Sequence, residues 1–294
     1  GVDVGDSACV FPPYKSKQEK LDEMVEATTL IAREIGVKGF INIQFAVMDD
    51  ELYVLEVNPR ASRTVPYLSK ASGVNLVGAA VNTWLGRDLE EQGLVTDGTG
   101  IGRCITGWAV KEAVFSFNRF HTIDPILGPE MKSTGEVIGT GQTFGEAYAK
   151  AQASAGTVLP VRGRVFVSVH DQDKATMLPI IRELSDLGLD ICATRGTAAY
   201  LFENGIFAEV ILKIHEGHPN VIDHMRSGRI DLLINTPLGL FSQIGDEEIR
   251  IEAVRRKIPY TTTTSAAEAA AEGIRYLLKQ EINVCPLSSE TVML

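Results

Sequence analysis

Four polar side chains interrupt two alternating apolar runs in a segment with the pattern of a β-hairpin: Asn42, Gln44, Glu56 and Asn58. A three-residue turn over residues 49–51 places Gln44 opposite Glu56 and the two asparagines opposite each other, because turn length sets hairpin register. A two-residue turn would put Gln44 and Glu56 on opposite faces. We predict the three-residue turn, since it collects the amides and the carboxylate on one face.

Oxygen atoms of this kind are ligands for a hard cation such as Mg²⁺, which takes one or two protein carboxylates and completes its shell with waters and substrate phosphates. Arg60 and Arg63 follow the second run, and guanidinium groups bind phosphate oxygens in a bidentate manner. The pattern therefore indicates a metal–nucleoside triphosphate site. The alternative is a hairpin with one solvated face, and the spacing alone leaves both open.

The elements around the hairpin have clear periodicity. Residues 17–35 carry one apolar face at helical spacing, with a capping box from Ser16 to Glu19 and a stop at Gly36. Further elements are predicted as a helix over 75–85, a strand over 108–115 and a helix over 143–153.

A boundary is predicted near residues 154–163, where small residues, Gly and Pro cluster. After it, short apolar strands alternate with amphipathic helices, which is typical of a parallel, doubly wound sheet. We therefore predict an α/β protein with two domains, over residues 1–156 and 157–294.

Ligands of such sheets bind beyond the carboxyl ends of the strands. The residues at these positions are cationic or carry hydroxyl and amide groups: Lys174, Thr194, Thr197, Lys213, Asn235 and Thr236. Thr197 begins a helix, whose free backbone N–H groups favour an anion. This set suits a phosphate monoester. Ordinary helix caps and solvated lysines are the alternative explanation.

The segment Glu56–Arg60, with Gln44 and Arg63, resembles the metal and phosphate segment of the ATP-grasp superfamily. The longer run over residues 56–73 and the segment 128–136 resemble the second synthetase half of the carbamoyl phosphate synthetase large-subunit family. This resemblance implies the C-terminal portion of an ATP-grasp fold, which is α+β with an antiparallel hairpin, followed by a Rossmann-like, methylglyoxal-synthase-like regulatory domain.

The opening residues 1–8 also fit this family, with Asp3-Val4 where many relatives have His-Ser. The resemblance covers essentially the whole chain and places Gly1 part-way through an ATP-grasp domain. We therefore expect a fragment of a longer protein, inactive by itself because it lacks half of the ATP cleft.

The resemblance implies an ATP-dependent carbon–nitrogen ligase, a glutamine-hydrolysing carbamoyl phosphate synthase of pyrimidine and arginine biosynthesis that phosphorylates carbamate with MgATP. Its implied ATP contacts are Gly1, Val2, Asp3, Val4, Gln44 and Glu56. Its implied ligands for Mg²⁺ or Mn²⁺ are Gln44, Glu56 and Asn58. Asn58, Arg60 and Arg63 would act in phosphoryl transfer. The implied partners are a glutaminase small subunit and the remainder of the large subunit, in an oligomer.

The second domain resembles the methylglyoxal-synthase-like effector domain of the same family. The resemblance implies that the six strand-end residues named above contact a nucleotide monophosphate, UMP or IMP. It also implies an ornithine site made by Asp6, Glu112, Tyr260 and Thr262, where two carboxylates would face a cationic amine.

Composition excludes some classes of function. The formal net charge of −10 argues against nucleic acid or an anionic membrane as a partner. No apolar run reaches the roughly 20 residues that span a bilayer, and we expect no signal peptide, because the first residues lack the basic-then-apolar pattern. The scattered residues Cys9, Cys104, Cys192 and Cys285 suit reduced structural thiols. These features predict a cytoplasmic protein.

Two other functions remain open. A free-standing methylglyoxal-synthase-like lyase needs catalytic carboxylates at its phosphate pocket, and the segment after Ile234 has none at the strand end. The second alternative is a pure effector-binding module with a degenerate grasp domain. The intact Glu56, Asn58 and Arg60 argue against it.

Overall fold

The structure is a computed structural model that describes residues 5–94, 107–115, 127–128, 130–236 and 245–284. The chain divides into two compact units. One combines Gly1–Cys9 with Val110–Asn283, and the other combines Val10–Ala109 with Val284–Leu294. Within the described ranges, no helix has the length and apolarity required to cross a bilayer.

The N-terminal elements in chain order are β1 (Cys9–Phe11), α1 (Gln18–Ile35), β2 (Asn42–Met48), β3 (Glu51–Asn58), α2 (Thr64–Ser72), α3 (Leu76–Trp84), β4 (Trp108–Phe115), β5 (Ser133–Gly141) and α4 (Phe144–Ser154). Strand β4 lies between β1 and β5 in one sheet, and β2 and β3 form a separate hairpin. The division of the chain passes through β4.

Helix α1 ends as predicted and begins differently. Gly36 adopts the left-handed conformation, with φ 70°, that favours glycine after a helix. The predicted capping box at Ser16 is wrong, because the N-cap is Lys17 and makes no side-chain capping bond. Helices α3 and α4 are capped by side chains instead, with Asn75 accepting from Gly78 and Thr143 accepting from Glu146.

The hairpin has the predicted register but a different turn. Met48 pairs with Glu51, so the turn contains two residues, Asp49 and Asp50, both with positive φ. The register then shifts between Gln44 and Phe45, and Leu55 has no partner opposite it. This bulge adds the residue that the shorter turn omits, so the predicted three-residue turn is wrong and the predicted facing pairs are right.

The larger unit contains a five-stranded parallel sheet in the order β10-β9-β6-β7-β8. Its strands are β6 (Arg164–Ser168), β7 (Asp190–Ala193), β8 (Glu209–Val210), β9 (Leu232–Asn235) and β10 (Tyr260–Thr261). Its helices are α5 (Lys174–Asp186), α6 (Arg195–Glu203), α7 (Val221–Arg226), α8 (Asp246–Arg256) and α9 (Thr264–Leu277). The predicted alternation of strands and helices is confirmed.

A continuous apolar core packs beside this sheet. The strands supply near-continuous apolar runs, as buried parallel strands require. The buried members of the cluster are Phe166, Cys192, Ile211, Val221, Met225, Ile230, Leu233, Ile249 and Ala253. Helices α7 and α8 therefore cover the sheet with their apolar sides, and their first turns lie at the carboxyl ends of the strands.

Helix α4 packs closely on α9. A Cβ atom at Gly145 would lie 2.5 Å from the carbonyl oxygen of Glu272, and one at Gly273 would lie 3.1 Å from the Tyr148 ring. These glycines let the two helices approach, which explains why the larger unit includes α4 together with the parallel sheet. The division of the chain into residues 1–156 and 157–294 remains a prediction.

The two cysteines within the described ranges are free thiols, Cys9 partly buried and Cys192 buried. Burial raises the pKa of Cys192 to about 12. Cys104 and Cys285 lie outside the described residues.

Candidate functional sites

The hairpin places the four predicted polar side chains on one face. Gln44 lies opposite Glu56, and Asn42 lies opposite Asn58. Residues two apart on one strand share a face, so the two pairs are neighbours. The arrangement presents one carboxylate and three amides along the first part of β2 and the last part of β3.

A hydrogen bond on this face fixes the orientation of one amide. The Nδ2 group of Asn58 donates to Oε1 of Glu56 at 2.9 Å. The nitrogen of this amide is thereby turned towards Glu56, and the carbonyl oxygen points away from it. A carboxylate beside an outward amide oxygen is a donor set that fits Mg²⁺ or Mn²⁺, which bind oxygen ligands and few carboxylates.

The two arginines follow the strand within a few residues. The backbone N–H of Arg60 donates to the Asn58 carbonyl at 2.8 Å, which makes a tight turn directly after β3. Its exposed guanidinium donates to the Ala61 carbonyl at 3.1 Å. Arg63 is the N-cap residue of α2. The predicted ATP contacts Gly1, Val2, Asp3 and Val4 lie outside the described residues.

A second candidate site lies at the carboxyl end of the parallel sheet. The chain runs from β6 to β7 and β8 on one side, then returns to β9 and β10 on the other side. The reversal falls between β6 and β9, where ligands of open α/β sheets bind. Ser168 and Asn235 pair across these two strands. Thr194 follows the neighbouring strand β7, so the strand ends converge on one place.

Hydroxyl groups at the start of α6 are buried at this convergence. Thr194 is the N-cap of α6, and its hydroxyl lies 3.2 Å from that of Thr197. Lys174 opens α5, and its Nζ atom donates to the Gly196 carbonyl at 3.1 Å. Lys174 also pairs with Asp171 at 2.7 Å. The structure thus brings Lys174, Thr194 and Thr197 together beside one helix N-terminus.

The end of β9 supplies the other polar groups. Asn235 and Thr236 are buried, and the Thr236 hydroxyl accepts from the backbone N–H of His170 at 3.1 Å. A cavity opens beside these strand ends, lined by Phe166, Ser168, Thr194, Lys213, Ile214, His215, Val221, Gly245, Asp246 and Ile249. Of the six predicted contacts, Lys213 and Thr194 line this cavity directly.

Groups of the protein itself donate hydrogen bonds to the two predicted amine-binding carboxylates, Asp6 and Glu112. Backbone N–H groups of Lys132 and Ser133 donate to Asp6 at 2.6 and 2.8 Å. Gln152 donates to Glu112 at 2.6 Å. Burial raises the pKa of Glu112 to about 7, against the opposing effects of its hydrogen bonds and of the Lys111 charge.

The other two predicted ornithine contacts lie at the edge of the parallel sheet. Tyr260 belongs to β10 and packs partly buried against the apolar core. Thr262 follows the end of β10, immediately before the N-cap of α9 at Thr263. Their role in binding an amino acid remains a prediction.

Sequence reasoning missed two residues of the second site. Asp246 lines the cavity from the first turn of α8, and Arg250 lies fully buried one turn later. The only available signal was their spacing, since residues four apart share one face of a helix. The surrounding segment is rich in charge and reads as a solvated helix. Among the described residues, no group of three or more His, Cys, Asp or Glu side chains is placed to hold a metal ion.

Each half of the chain contains a range that matches a family model. Residues 14–102 match the model described as "ATP-grasp in the biosynthetic pathway with Ter operon". Residues 176–262 match the model described as "MGS-like domain". The first range contains the polar hairpin face, and the second contains the strand-end residues Thr194, Thr197, Lys213, Asn235 and Thr236, whereas Lys174 lies just before it.

Curated relatives match almost the whole chain. It is 46% identical over 284 residues to the carbamoyl phosphate synthase large chain of Pasteurella multocida, covering 96% of this chain and 26% of the relative. It is 47% identical over 291 residues to the C-terminal section of that large chain from Methanopyrus kandleri, covering 97% of this chain and 53% of the relative. The chain thus spans between about a quarter and a half of the length of these relatives, and it is similar over almost its whole length to part of the carbamoyl phosphate synthase large chain.

Proposed function

We propose that this chain is part of an MgATP-dependent carbamoyl phosphate synthase, an ATP-dependent ligase. The observation that carries the proposal is the register of the hairpin, which aligns Gln44 with Glu56 and Asn42 with Asn58. The likeness to large chains of carbamoyl phosphate synthase supports it. In this proposal the chain acts with the remainder of the large chain and with a glutaminase small subunit.

The hairpin face would hold the metal through Gln44, Glu56 and Asn58. When bound, Mg²⁺ or Mn²⁺ neutralises charge on the phosphates of ATP. Arg60 and Arg63 would bind the oxygens of the phosphoryl group that moves to carbamate. No protein nucleophile is needed, because phosphoryl transfer depends on positioning and electrostatic stabilisation.

The parallel-sheet unit would bind a nucleotide monophosphate, UMP or IMP, as an effector. The support is the convergence of cationic, hydroxyl and amide groups at the reversal of strand order, where an anion would meet a helix N-terminus. Ornithine would bind near Asp6, Glu112, Tyr260 and Thr262. An effector of either kind would change ATP binding by a coupling free energy of about 1–3 kcal/mol, and the effect would be reciprocal.

Calorimetric titration tests the effector site. UMP, IMP and ornithine are added separately to the full chain, to Thr197→Ala and to Lys213→Ala. The matched control is Lys257→Ala, which lies at the end of α8. We expect saturable nucleotide binding that the first two substitutions weaken and the control does not. Equal affinity in all four proteins would refute the assigned site.

Electron paramagnetic resonance of Mn²⁺ with ATP tests the metal face. Glu56→Gln removes the carboxylate of the proposed site, whereas Glu51→Gln removes an exposed carboxylate at the other end of the same strand. We expect bound Mn²⁺ to decrease only with the first change. An equal decrease in both variants would mean nonspecific attraction to an acidic hairpin.

A second candidate function rests on Asp246. A lyase of the methylglyoxal-synthase type needs a carboxylate at its phosphate pocket, and Asp246 supplies one from α8 instead of from the strand end. Formation of methylglyoxal from dihydroxyacetone phosphate, abolished by Asp246→Asn, would favour the lyase over the effector domain.

A further inference from the structure

We propose that Arg250 is a positioning residue that orients the Asn235 amide so that its N–H group faces an anion in the strand-end cavity. This inference rests on the proposed effector site and identifies how one of its donors is held. It starts from the geometry of two buried side chains on different elements, β9 and α8.

Arg250 is the largest fully buried side chain among the described residues, with 0% of its surface exposed. A buried guanidinium is costly unless its N–H groups are hydrogen-bonded. One of these groups donates from NH1 to Oδ1 of Asn235 at 2.9 Å. Asn235 is itself 1% exposed, so neither side chain is free to rearrange in solvent. The contact therefore holds a fixed geometry.

The partners of Asn235 determine which end of its amide faces which way. A guanidinium only donates hydrogen bonds, so the amide atom next to Arg250 is the oxygen. The opposite atom lies 3.3 Å from the Ser168 carbonyl oxygen, which only accepts, so that atom is the nitrogen. Both contacts require the same orientation. A flipped amide would set donor against donor and acceptor against acceptor.

The amide nitrogen has a second N–H group besides the one that donates to Ser168, and the side chain of Asp246 lies near it. Burial raises the pKa of the Asp246 carboxyl group, and the nearby Arg250, Asn235 and Lys213 side chains oppose that increase. Asp246 lines the cavity together with Lys213 and Thr194. In this proposal a phosphate oxygen would accept from the second N–H group of the Asn235 amide, on the side of the cavity where Asp246 lies. Arg250 would keep this donor in place, because its own contact holds the oxygen end of the amide.

The test is a double-mutant cycle on the full 294-residue chain, with UMP, IMP and inorganic phosphate as probes in calorimetry. Asn235→Ala removes the donor, and we expect roughly tenfold weaker nucleotide binding, as for a lost hydrogen bond to a charged group. Arg250→Met removes the guanidinium while keeping an unbranched apolar chain in place of its stem. We expect a similar loss, and no further loss when the two changes are combined.

Three further variants distinguish positioning from general stability. Arg250→Lys keeps a charge and a donor and should recover part of the affinity. Asn235→Asp keeps an acceptor for Arg250 but loses the N–H groups and adds a negative charge, so it should bind at least tenfold more weakly, and circular dichroism checks that it is folded. Arg256→Met is the matched control, because Arg256 lies on the same helix, is partly exposed and pairs with Glu252 at 2.7 Å.

Unchanged affinity in Arg250→Met, or losses that multiply in the double variant, would overturn the inference. If Arg250→Met does not fold, as judged by circular dichroism, the same cycle is run with Arg250→Lys, whose loss must vanish in the Asn235→Ala background. If the wild-type chain binds none of the three probes, the proposed effector site fails and the inference fails with it. That result differs plainly from wild-type binding that is insensitive to Arg250.

Discussion

Replacing Glu112 by Gln should remove much of the pH dependence of the stability of the larger unit. Glu112 lies on β4, where Gln152 donates to Oε2 at 2.6 Å and the Ala113 backbone N–H donates to Oε1 at 3.2 Å. A glutamine has the shape of the protonated acid. It retains one acceptor, and Gln152 can turn its own amide oxygen towards the new NH₂ group. The substitution therefore tests the carboxyl charge with little change in packing.

The sign follows from proton linkage. Burial raises the pKa of Glu112 from 4.5 to about 7 in the folded chain. The folded state then binds more protons than the unfolded state between these values, so stability is highest below pH 4.5 and falls as the pH rises through 7. The loss between pH 5 and pH 8 is about 2.5 kcal/mol for this one group.

Urea-induced unfolding, followed by circular dichroism between pH 5 and pH 8, measures this effect. We expect Glu112→Gln to gain stability relative to the wild type as the pH rises, by about 2.5 kcal/mol over the range. Glu247→Gln, an exposed position on α8, gives the baseline for removing any carboxylate. A difference between wild type and Glu112→Gln that is the same at pH 5 and pH 8 would refute the assignment, as would a normal Glu112 titration by carbon-13 NMR.

Three further outcomes are expected. In urea unfolding, Asp50→Ala should be less stable than Asp50→Gly by about 1 kcal/mol, because residue 50 has a φ of 63°. Both variants lose the exposed ion pair with Lys17, so the comparison isolates the backbone effect. Equal stability would contradict the two-residue turn. Gly139→Ala should lower the free energy of unfolding by about 1–3 kcal/mol, because the new Cβ atom would clash with the backbone of α4 at Ala147. A neutral effect would show that β5 and α4 separate easily. Ornithine binding at pH 7 should release a fraction of a proton from Glu112, seen as a binding heat that varies with the ionisation enthalpy of the buffer, whereas buffer-independent heat would place the amine elsewhere.

The hairpin shows which structural features its sequence pattern could predict and which it could not. The facing pairs were predictable, because the polar residues had to share a face to leave the apolar ones on the other. The turn was not, since a two-residue turn with a bulge at Leu55 and a three-residue turn give the same pairing beyond the bulge. The choice between the two turns depends on whether Asp49 and Asp50 can adopt a positive φ. Aspartate adopts a positive φ more readily than most residues.

The strand-end site was predictable to the extent that topology determines it. Alternating strands and helices predict a parallel sheet, and the residues after each strand then converge at one edge. Asp246 and Arg250 escaped this reasoning because they reach the site from a helix. A charged segment such as α8 is normally solvated, and the burial of Arg250 becomes visible only when the helix is packed on the sheet.

The packing of α4 also bears on how the predicted amine site is built. Gln152 of α4 holds Glu112, and α4 packs on α9, whose first turn follows Tyr260 and Thr262 at the end of β10. The four predicted ornithine contacts therefore lie on elements of one compact unit, although they come from opposite sides of the boundary drawn from the sequence. Close glycine contacts between α4 and α9 leave little room for independent motion, because a shift of either helix would open a gap or a clash. A cation that attracted Glu112 away from Gln152 would therefore act on α4 first. Because α4 packs on α9, it would then also act on α9, the helix that follows Thr262.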